Sequence, residues 1–290
     1  MIMNKKQKKT IEWLSLQLAE NWSQFTQQLL RSKNQLSTKN IHQVRVTSQR
    51  LEAILRLIKV LKLNKTSQSS LRPLIKNIKT VRKSLGPLRD LQVESITLKG
   101  LLGKGSSPHS ELAKELNTKI VGAESQAKLA LKKGVRFTKE YHAKAYSKLS
   151  FELKRLESEK SPGEIREPLK NHLRKLVQSF NKSLSSIDPK QAAEIHQLRL
   201  QAKKLRYRGE CLNSFSGKRV IDLSHLKKLQ SIAGDIQNDR VLLKTLAEFP
   251  KSKDSELNAK LARLRQKTSE NQKELMTKDF AKIGTLPWQE

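Results

Sequence analysis

The chain has 290 residues, of which 59 are Lys or Arg and 27 are Asp or Glu, and its formal net charge at pH 7 is +32. An excess this large opposes folding through self-repulsion, so it indicates a partner that supplies negative charge: nucleic acid, an anionic membrane surface or a phosphate polymer. The single cysteine, Cys211, excludes an internal disulfide framework. No stretch approaches the roughly 18 uncharged apolar residues of a membrane span, and the N-terminus has no apolar signal-peptide core, so we expect a cytoplasmic protein.

Helical periodicity dominates the sequence, and no strand pattern competes with it. Gly and Pro, at 11 and 8 residues, are too scarce for a turn-rich β fold. The apolar spacing and the cap signals predict these helices, in chain order: Lys8–Arg31, Thr38–Lys62, Leu71–Leu85, a short helix after Pro87, Ser107-Pro108 to Lys133, Thr138–Glu159, Ser161-Pro162-Gly163 to Leu184, Asp188-Pro189 to Asn213, Lys218–Ala233, Gln237–Ala247 and Asp254–Leu275. We expect a flexible break at residues 103–107, an interruption at Gly134 and an irregular tail over residues 276–290.

Two elements occur twice in the same order. The segment Ile41-His42-Gln43-Val44-Arg45-Val46 recurs as Ile195-His196-Gln197-Leu198-Arg199-Leu200, and the segment at Leu85–Val93 recurs at Ala233–Val241. The paired histidines and the paired glycines, Gly86 and Gly234, have nearly the same offset along the chain. This pattern predicts a tandem duplication that gives two similar helical bundles packed about a pseudo-twofold axis. We expect each glycine to be a left-handed C-cap.

The repeated helix has one apolar side and one basic side. With about 100° per residue, Arg45 and Arg56 fall close to His42, whereas the apolar residues of the helix lie on the opposite side. In the second copy, His196, Arg199, Lys203 and Arg206 share one side. Apolar residues such as Leu57 and Tyr207 flank the basic sides, which favours a partly enclosed basic groove over an open surface.

The second motif, His196-Gln197-Leu198-Arg199 through Lys203-Lys204-Leu205-Arg206-Tyr207 to Glu210, resembles the CHAD family, the conserved histidine α-helical domain. The first His-x-x-Arg-Val motif and the Leu-Gly-x-Leu-Arg-Asp-Leu element at Leu85–Val93 resemble the family too. The likeness covers roughly Lys8 to Leu275. The first copy departs from the family pattern, because Gln49 and Glu52 stand where cations are expected.

The resemblance implies an all-α fold of two pseudo-symmetric helical bundles from an internal duplication, with a basic groove or cavity between them. Residues 1–290 would form a single CHAD-like domain, with one half at residues 8–133 and the other at residues 138–275. It also implies that the chain binds inorganic polyphosphate and associates with polyphosphate or storage granules. From the residues themselves we expect no cofactor, no metal and no catalysis.

The residues expected to contact polyphosphate are cations and motif residues from both copies. They are His42, Arg45, Arg50, Arg56, Arg72, Lys76, Lys79, Arg82, Lys83, Arg89, His196, Arg199, Lys203, Lys204, Arg206, Tyr207, Lys227, Lys228 and Arg240. In the third predicted helix, Arg72, Lys76, Lys79 and Lys83 fall on one side by the same angular count, and they would compensate for the cations missing from the first motif. Arginine also suits bidentate contacts to phosphate.

Three other functions remain open on the sequence alone. A nucleic-acid-binding protein would show the same charge, although no reading helix is recognisable and aromatic residues make up only 4% of the chain. An enzyme acting on polyphosphate or nucleotides would need a carboxylate cluster for Mg²⁺ or an activated nucleophile, and neither is evident. The third is attachment to storage granules or membrane surfaces through partner proteins. The remaining histidines and Cys211 form no metal-ligand pattern, and residues 103–107 do not match a P-loop.

Overall fold

The computed structural model describes the backbone of residues 5–61, 63–102, 108–216, 220–248 and 255–288, with side chains undescribed at a few helix ends and at residues 142, 143 and 162. Within these ranges the chain is all-α. Its helices are α1 (Lys5–Asn34), α2 (Thr38–Val60), α3 (Lys65–Ser84), α4 (Gly86–Leu102), α5 (Pro108–Glu159), α6 (Pro162–Ser186), α7 (Ala192–Ser216), α8 (Leu223–Glu248) and α9 (Ser255–Glu274), followed by a π-helical turn at Leu275–Phe280. The predicted break at residues 103–107 lies outside the described residues.

The chain forms two compact units. The first contains Met1–Gln92, Lys119–Lys175 and Tyr207–Val220, and the second contains Val93–Thr118, Leu176–Arg206 and Ile221–Glu290. The division into halves at residues 8–133 and 138–275 stays a prediction. Helix α5 is a single helix of 52 residues, so the expected interruption at Gly134 is wrong. The ideal Cβ position of Gly134 lies 3.0 Å from Val81 Cγ2, so this glycine allows α5 to approach α3 closely.

The core of the first unit is built by apolar stripes of α1, α2 and α3. On α1, Leu14, Leu18, Phe25 and Leu29 recur at helical spacing and are fully buried. On α2 the predicted apolar side is confirmed, because its members are all inaccessible to solvent: Val44, Leu51, Leu55 and Ile58. Packing of α1 against α2 and of α2 against α3 therefore fixes which side of α2 and α3 is left for charged residues.

The helix α3 begins six residues before its predicted start. Asn64 caps it, because the Asn64 side-chain oxygen accepts a hydrogen bond from the Ser67 backbone N–H at 2.8 Å. Glu152 of α5 holds the cap in place by accepting bonds from the Asn64 backbone N–H (2.9 Å) and side-chain amide (2.7 Å). The sequence shows the Asn but not the distant carboxylate that positions it.

In the second unit, α8 packs against α9 and the π-helical turn. Two predictions are wrong here. The helices predicted at Lys218–Ala233 and Gln237–Ala247 are the single helix α8, and Asp188-Pro189 forms a turn before α7, which begins only at Ala192. The tail is partly ordered: residues 275–280 are π-helical, and Asn181 exchanges two hydrogen bonds of 2.9 Å with the backbone of Leu286.

Candidate functional site

A basic groove lies along α2 and α3 in the first unit. It has a volume of about 410 Å³, and we name it the α2–α3 groove. Its lining residues are Arg56, Lys59, Arg72, Ile75, Lys76, Lys79, Thr80 and Lys83. Six of these eight side chains are cationic, and the lining contains no acidic and no aromatic side chain.

The spacing of residues on α3 explains this row of charge. Arg72, Lys76, Lys79 and Lys83 follow the helical repeat, as the angular count predicted, and they lie together in the groove. Leu71, Leu74, Ile78 and Val81 are buried on the other side of the same helix. Because Lys83 comes 11 positions after Arg72, the row is about 16 Å long at the rise of an α-helix.

One carboxylate lies next to the groove. Glu52 of α2 accepts a hydrogen bond from Arg56 Nε at 2.8 Å and another from Arg82 Nη2 at 2.7 Å. Burial alone would raise the pKa of Glu52, but the guanidiniums of Arg82 and Arg56 outweigh burial and hold the pKa below its ordinary value. Glu52 is therefore ionised at neutral pH and fixes Arg56 at the groove.

The arginine of the first His-x-x-Arg motif contacts the start of α4. Arg45 Nη1 donates a hydrogen bond to the carbonyl oxygen of Arg82 at 3.2 Å, and the same atom lies 3.4 Å from the ideal Cβ position of Gly86. Gly86 is the first residue of α4 and does not have a left-handed backbone. The predicted C-cap role is therefore wrong, and the glycine instead leaves room for the guanidinium.

The second copy makes the corresponding contact within the second unit. Arg199 Nε donates a hydrogen bond to the carbonyl oxygen of Gln230 at 3.4 Å, and Arg199 Nη2 lies 3.2 Å from the ideal Cβ position of Gly234. Gly234 lies inside α8, so its predicted role as a C-cap is also wrong. In each copy the motif arginine bonds to the carbonyl four residues before the motif glycine, which gives Arg45 and Arg199 a packing role beside the predicted ligand role.

The other predicted residues are not all brought together. In the first unit, His42 and Arg50 are exposed on α2, Arg89 is half-buried on α4, and Tyr207 is buried. In the second unit, four cations are exposed and three motif residues are half-buried. The exposed residues are Lys204, Lys227, Lys228 and Arg240; the half-buried residues are His196, Lys203 and Arg206. A shared groove lined by both His-x-x-Arg helices stays a prediction.

One residue of the α2–α3 groove and two residues elsewhere in the first unit were not predicted. Lys59 lines it one helical turn after Arg56. Arg208 of α7 is only 7% exposed, and His172 of α6 is half-buried, with an Nε2 atom that has no hydrogen-bond partner among the described residues. The sequence signal for Lys59 is its spacing from Arg56, whereas nothing in the sequence indicates that Arg208 is buried.

The groove can hold an anion by charge, but its lining contains no group that would activate one. It has no carboxylate to bind a divalent cation, and Thr80 is its only hydroxyl. Across the described residues, no three His, Cys, Asp or Glu side chains come together in a way that could hold a metal ion. None of the described helices is long and apolar enough to cross a membrane.

The helices and the groove together define an all-helical, strongly basic protein with a cationic site on the surface of a helical unit. The model of the CHAD domain family matches residues 16–248, which is well over half of the chain. The protein therefore belongs to the CHAD domain family.

Two solved structures are similar to this chain in fold. One is the CHAD domain from the plant Ricinus communis, with a TM-score of 0.58 and 16% identity, covering 96% of this chain and 94% of that one. The other is PptA from Streptomyces chartreusis, with a TM-score of 0.53 and 15% identity, covering 94% of this chain and 100% of that one. No curated protein sequence matches this chain significantly. At these identities the likeness concerns the fold alone.

Proposed function

We propose that this protein binds linear inorganic polyphosphate without catalysis, and that the α2–α3 groove is a main contact surface. The observation that carries the proposal is the set of six cations in one groove with no acidic side chain in its lining. Cations that converge on one groove attract a polyanion more strongly than the same charges spread over a surface, because the groove concentrates their field. A row about 16 Å long can contact several consecutive phosphates of an extended chain.

The lining of the groove favours a phosphate polymer over single-stranded nucleic acid. Proteins that bind single strands combine a basic groove with aromatic side chains on which bases stack. The only lining residues that are not cationic are Ile75 and Thr80, so the lining offers charge and no aromatic stacking surface. A ligand that consists of phosphate alone can be bound through the cationic side chains of this groove and needs no aromatic contact.

Catalysis is not part of the proposal. Polyphosphate hydrolysis or transfer needs a metal ion or an activated nucleophile near the phosphate, and the groove lining contains neither a carboxylate nor a Cys, His or Ser side chain. The family relationship supports a role in polyphosphate-related biology, and binding to the polymer would place the protein on cytoplasmic polyphosphate granules.

The test is the binding of fluorescently labelled polyphosphate by the full-length chain and by charge-reversed variants. K76E/K79E changes two groove residues, and R199E/R206E changes two residues of the second His-x-x-Arg helix. K144E/K148E, which reverses two exposed lysines of α5, is the control with the same change in net charge. We expect K76E/K79E and R199E/R206E each to weaken binding at least 10-fold more than the control does.

Three outcomes would contradict the proposal. Unchanged affinity of K76E/K79E would exclude the α2–α3 groove as the site. Displacement of polyphosphate by duplex DNA at equal phosphate concentration, without displacement in the reverse direction, would identify nucleic acid as the ligand. Release of phosphate from polyphosphate when a divalent metal is added would identify an enzyme.

A further inference from the structure

Helix α5 carries an exposed stripe that has aromatic side chains at both ends and two lysines between them. We name it the α5 stripe, and its members are Phe137, Tyr141, Lys144, Lys148 and Phe151. Their spacing along the helix is alternately four and three residues, so at about 100° per residue they fall within a sector of about 80°. The stripe is about 21 Å long at the rise of an α-helix.

The aromatic rings of the stripe are accessible to a partner. Phe151 is 70% exposed, and Tyr141 is 48% exposed. Tyr141 also stacks on the half-buried ring of Phe137, with ring centroids 4.6 Å apart and an angle of 26° between the ring planes. Aromatic residues make up only 4% of the chain, so their concentration on one exposed side of a helix indicates a binding surface.

The two lysines in the middle of the stripe carry charge that no carboxylate compensates. Lys144 and Lys148 are exposed, and neither forms an ion pair with the described residues. The arginines that flank the stripe differ, because both are engaged in ion pairs with glutamates of α5: Arg136 and Arg155. The stripe therefore offers two uncompensated positive charges between its aromatic ends.

Another side of this part of α5 is fixed in the core of the first unit. Ala145, Leu149 and Leu153 are buried there at helical spacing. Core packing therefore sets the position of the helix, and the stripe faces solvent. Because its rings at Tyr141 and Phe151 are exposed, single substitutions there should leave the fold intact.

The order of these side chains favours single-stranded nucleic acid over two other partners. Proteins bind single strands by stacking bases on aromatic rings and by contacting the phosphates with cations, and the stripe offers both groups in one line. A helix that lies in a membrane surface keeps its cations on a separate side from its inserted rings, whereas here they share one side. A partner helix would have to bury Lys144 and Lys148 at the centre of the interface, where lysine is disfavoured.

We propose that the α5 stripe is a second binding surface of this protein, separate from the α2–α3 groove, and that its ligand is single-stranded nucleic acid. The rings of Tyr141 and Phe151 stack on bases, and Lys144 and Lys148 contact the phosphates between those bases. The inference does not depend on the proposed function, because the groove supplies charge without rings and the stripe supplies both.

The test is fluorescence anisotropy of the full-length chain with a labelled single strand of 15 thymidines, and with an abasic strand that has the same number of phosphates. The variants are F151L, which keeps an apolar side chain but removes the ring, and F151W, which keeps a ring. L129A removes an exposed apolar side chain of α5 about two turns before Phe137, and it is the control. We expect F151L to bind the thymidine strand at least about 5-fold more weakly than the wild type, which is the lower end of the effect of losing one base–aromatic stack. F151W and L129A should bind it as tightly as the wild type.

The abasic strand separates stacking from charge. The wild type and F151L should bind the abasic strand equally, because it has no base to stack on a ring. Equal affinity of the wild type and F151L for the thymidine strand would overturn the proposal. Sedimentation of the wild type, but not of F151L, with vesicles of phosphatidylglycerol and phosphatidylcholine would instead identify a membrane surface if thymidine binding is the same in both.

Two further measurements distinguish the stripe from the groove. F151L should bind long polyphosphate with wild-type affinity, whether or not the groove proves to be the polyphosphate site. The loss caused by F151L on the thymidine strand should be the same in the K76Q/K79Q background as in the wild type, because independent sites have additive effects. Disappearance of that loss in the K76Q/K79Q background would place the strand in the groove and overturn the stripe as a separate site.

Discussion

The salt dependence of polyphosphate binding offers a quantitative check on the α2–α3 groove. The perturbation is K76Q/K79Q, which removes two of the six groove charges without introducing a repulsive one. Lys and Gln have similar helix propensity, so α3 should remain folded. Binding to a flexible polyanion releases counterions, and the logarithm of the affinity falls with the logarithm of the salt concentration by about 0.7 per neutralised phosphate.

The expected change follows directly from the number of contacts. Six contacts give a slope of about −4.2, and four contacts give a slope of about −2.8. Between 50 and 200 mM salt, the groove's share of the affinity should therefore fall about 300-fold for the wild type and about 50-fold for the variant. Other cations of the chain add equally to both slopes, so the difference of about 1.4 between the slopes is the measured quantity.

The assay is fluorescence anisotropy of labelled polyphosphate at four salt concentrations. K144Q/K148Q, which neutralises two exposed lysines of α5, serves as the control with the same net charge. A slope difference near zero for K76Q/K79Q, or an equal difference for the control, would show that binding depends on total charge and would refute the assignment of the groove.

Two further predictions concern stability. In α5, Gly122 has nothing within 4 Å of its ideal Cβ position, so G122A should stabilise the fold by about 0.5–1 kcal/mol. G134A places a methyl group 3.0 Å from Val81 Cγ2, so this variant should be at least about 1 kcal/mol less stable than G122A in urea unfolding. Equal stability of the two variants would contradict the close packing of α5 against α3. Because the folded pKa of Glu52 is below its ordinary value of 4.5, its contribution to stability is present above that value and is lost as pH falls through the folded pKa. E52Q should therefore show a smaller loss of stability than the wild type between pH 5 and the acid limit of folding, and parallel pH profiles of the two would show that the ion pairs with Arg56 and Arg82 contribute nothing.

The class of fold and one part of the site can be predicted from the amino-acid sequence. The apolar spacing of α1 and α2 predicted which residues are buried, because a stripe on one side of a helix must pack against another element. The same angular count placed Arg72, Lys76, Lys79 and Lys83 in one row, since residues three and four apart on a helix lie on the same side. The repeated motifs also indicated the family, which the family model confirms.

The sequence does not distinguish a glycine that ends a helix from a glycine that makes room for a neighbouring side chain. Spacing alone predicts that Gly86, Gly134 and Gly234 are caps or breaks, because glycine is common at helix ends and costs stability inside a helix. In the structure, Arg45 packs against Gly86, Val81 against Gly134, and Arg199 against Gly234. A neighbour that comes from another helix leaves no local trace in the sequence, so the choice between a helix end and a close contact could not be made from spacing.

Which charges meet across helices depends on the tertiary packing. Glu52 of α2 and Arg82 of α3 are 30 residues apart in sequence, yet the Glu52 carboxylate accepts a hydrogen bond from Arg82 Nη2 at 2.7 Å. Periodicity predicts neighbours within a helix, but contacts between helices depend on how all the apolar stripes pack at once. The row of cations on α3 is therefore visible in the sequence, and the ion pair between Glu52 and Arg82 is not.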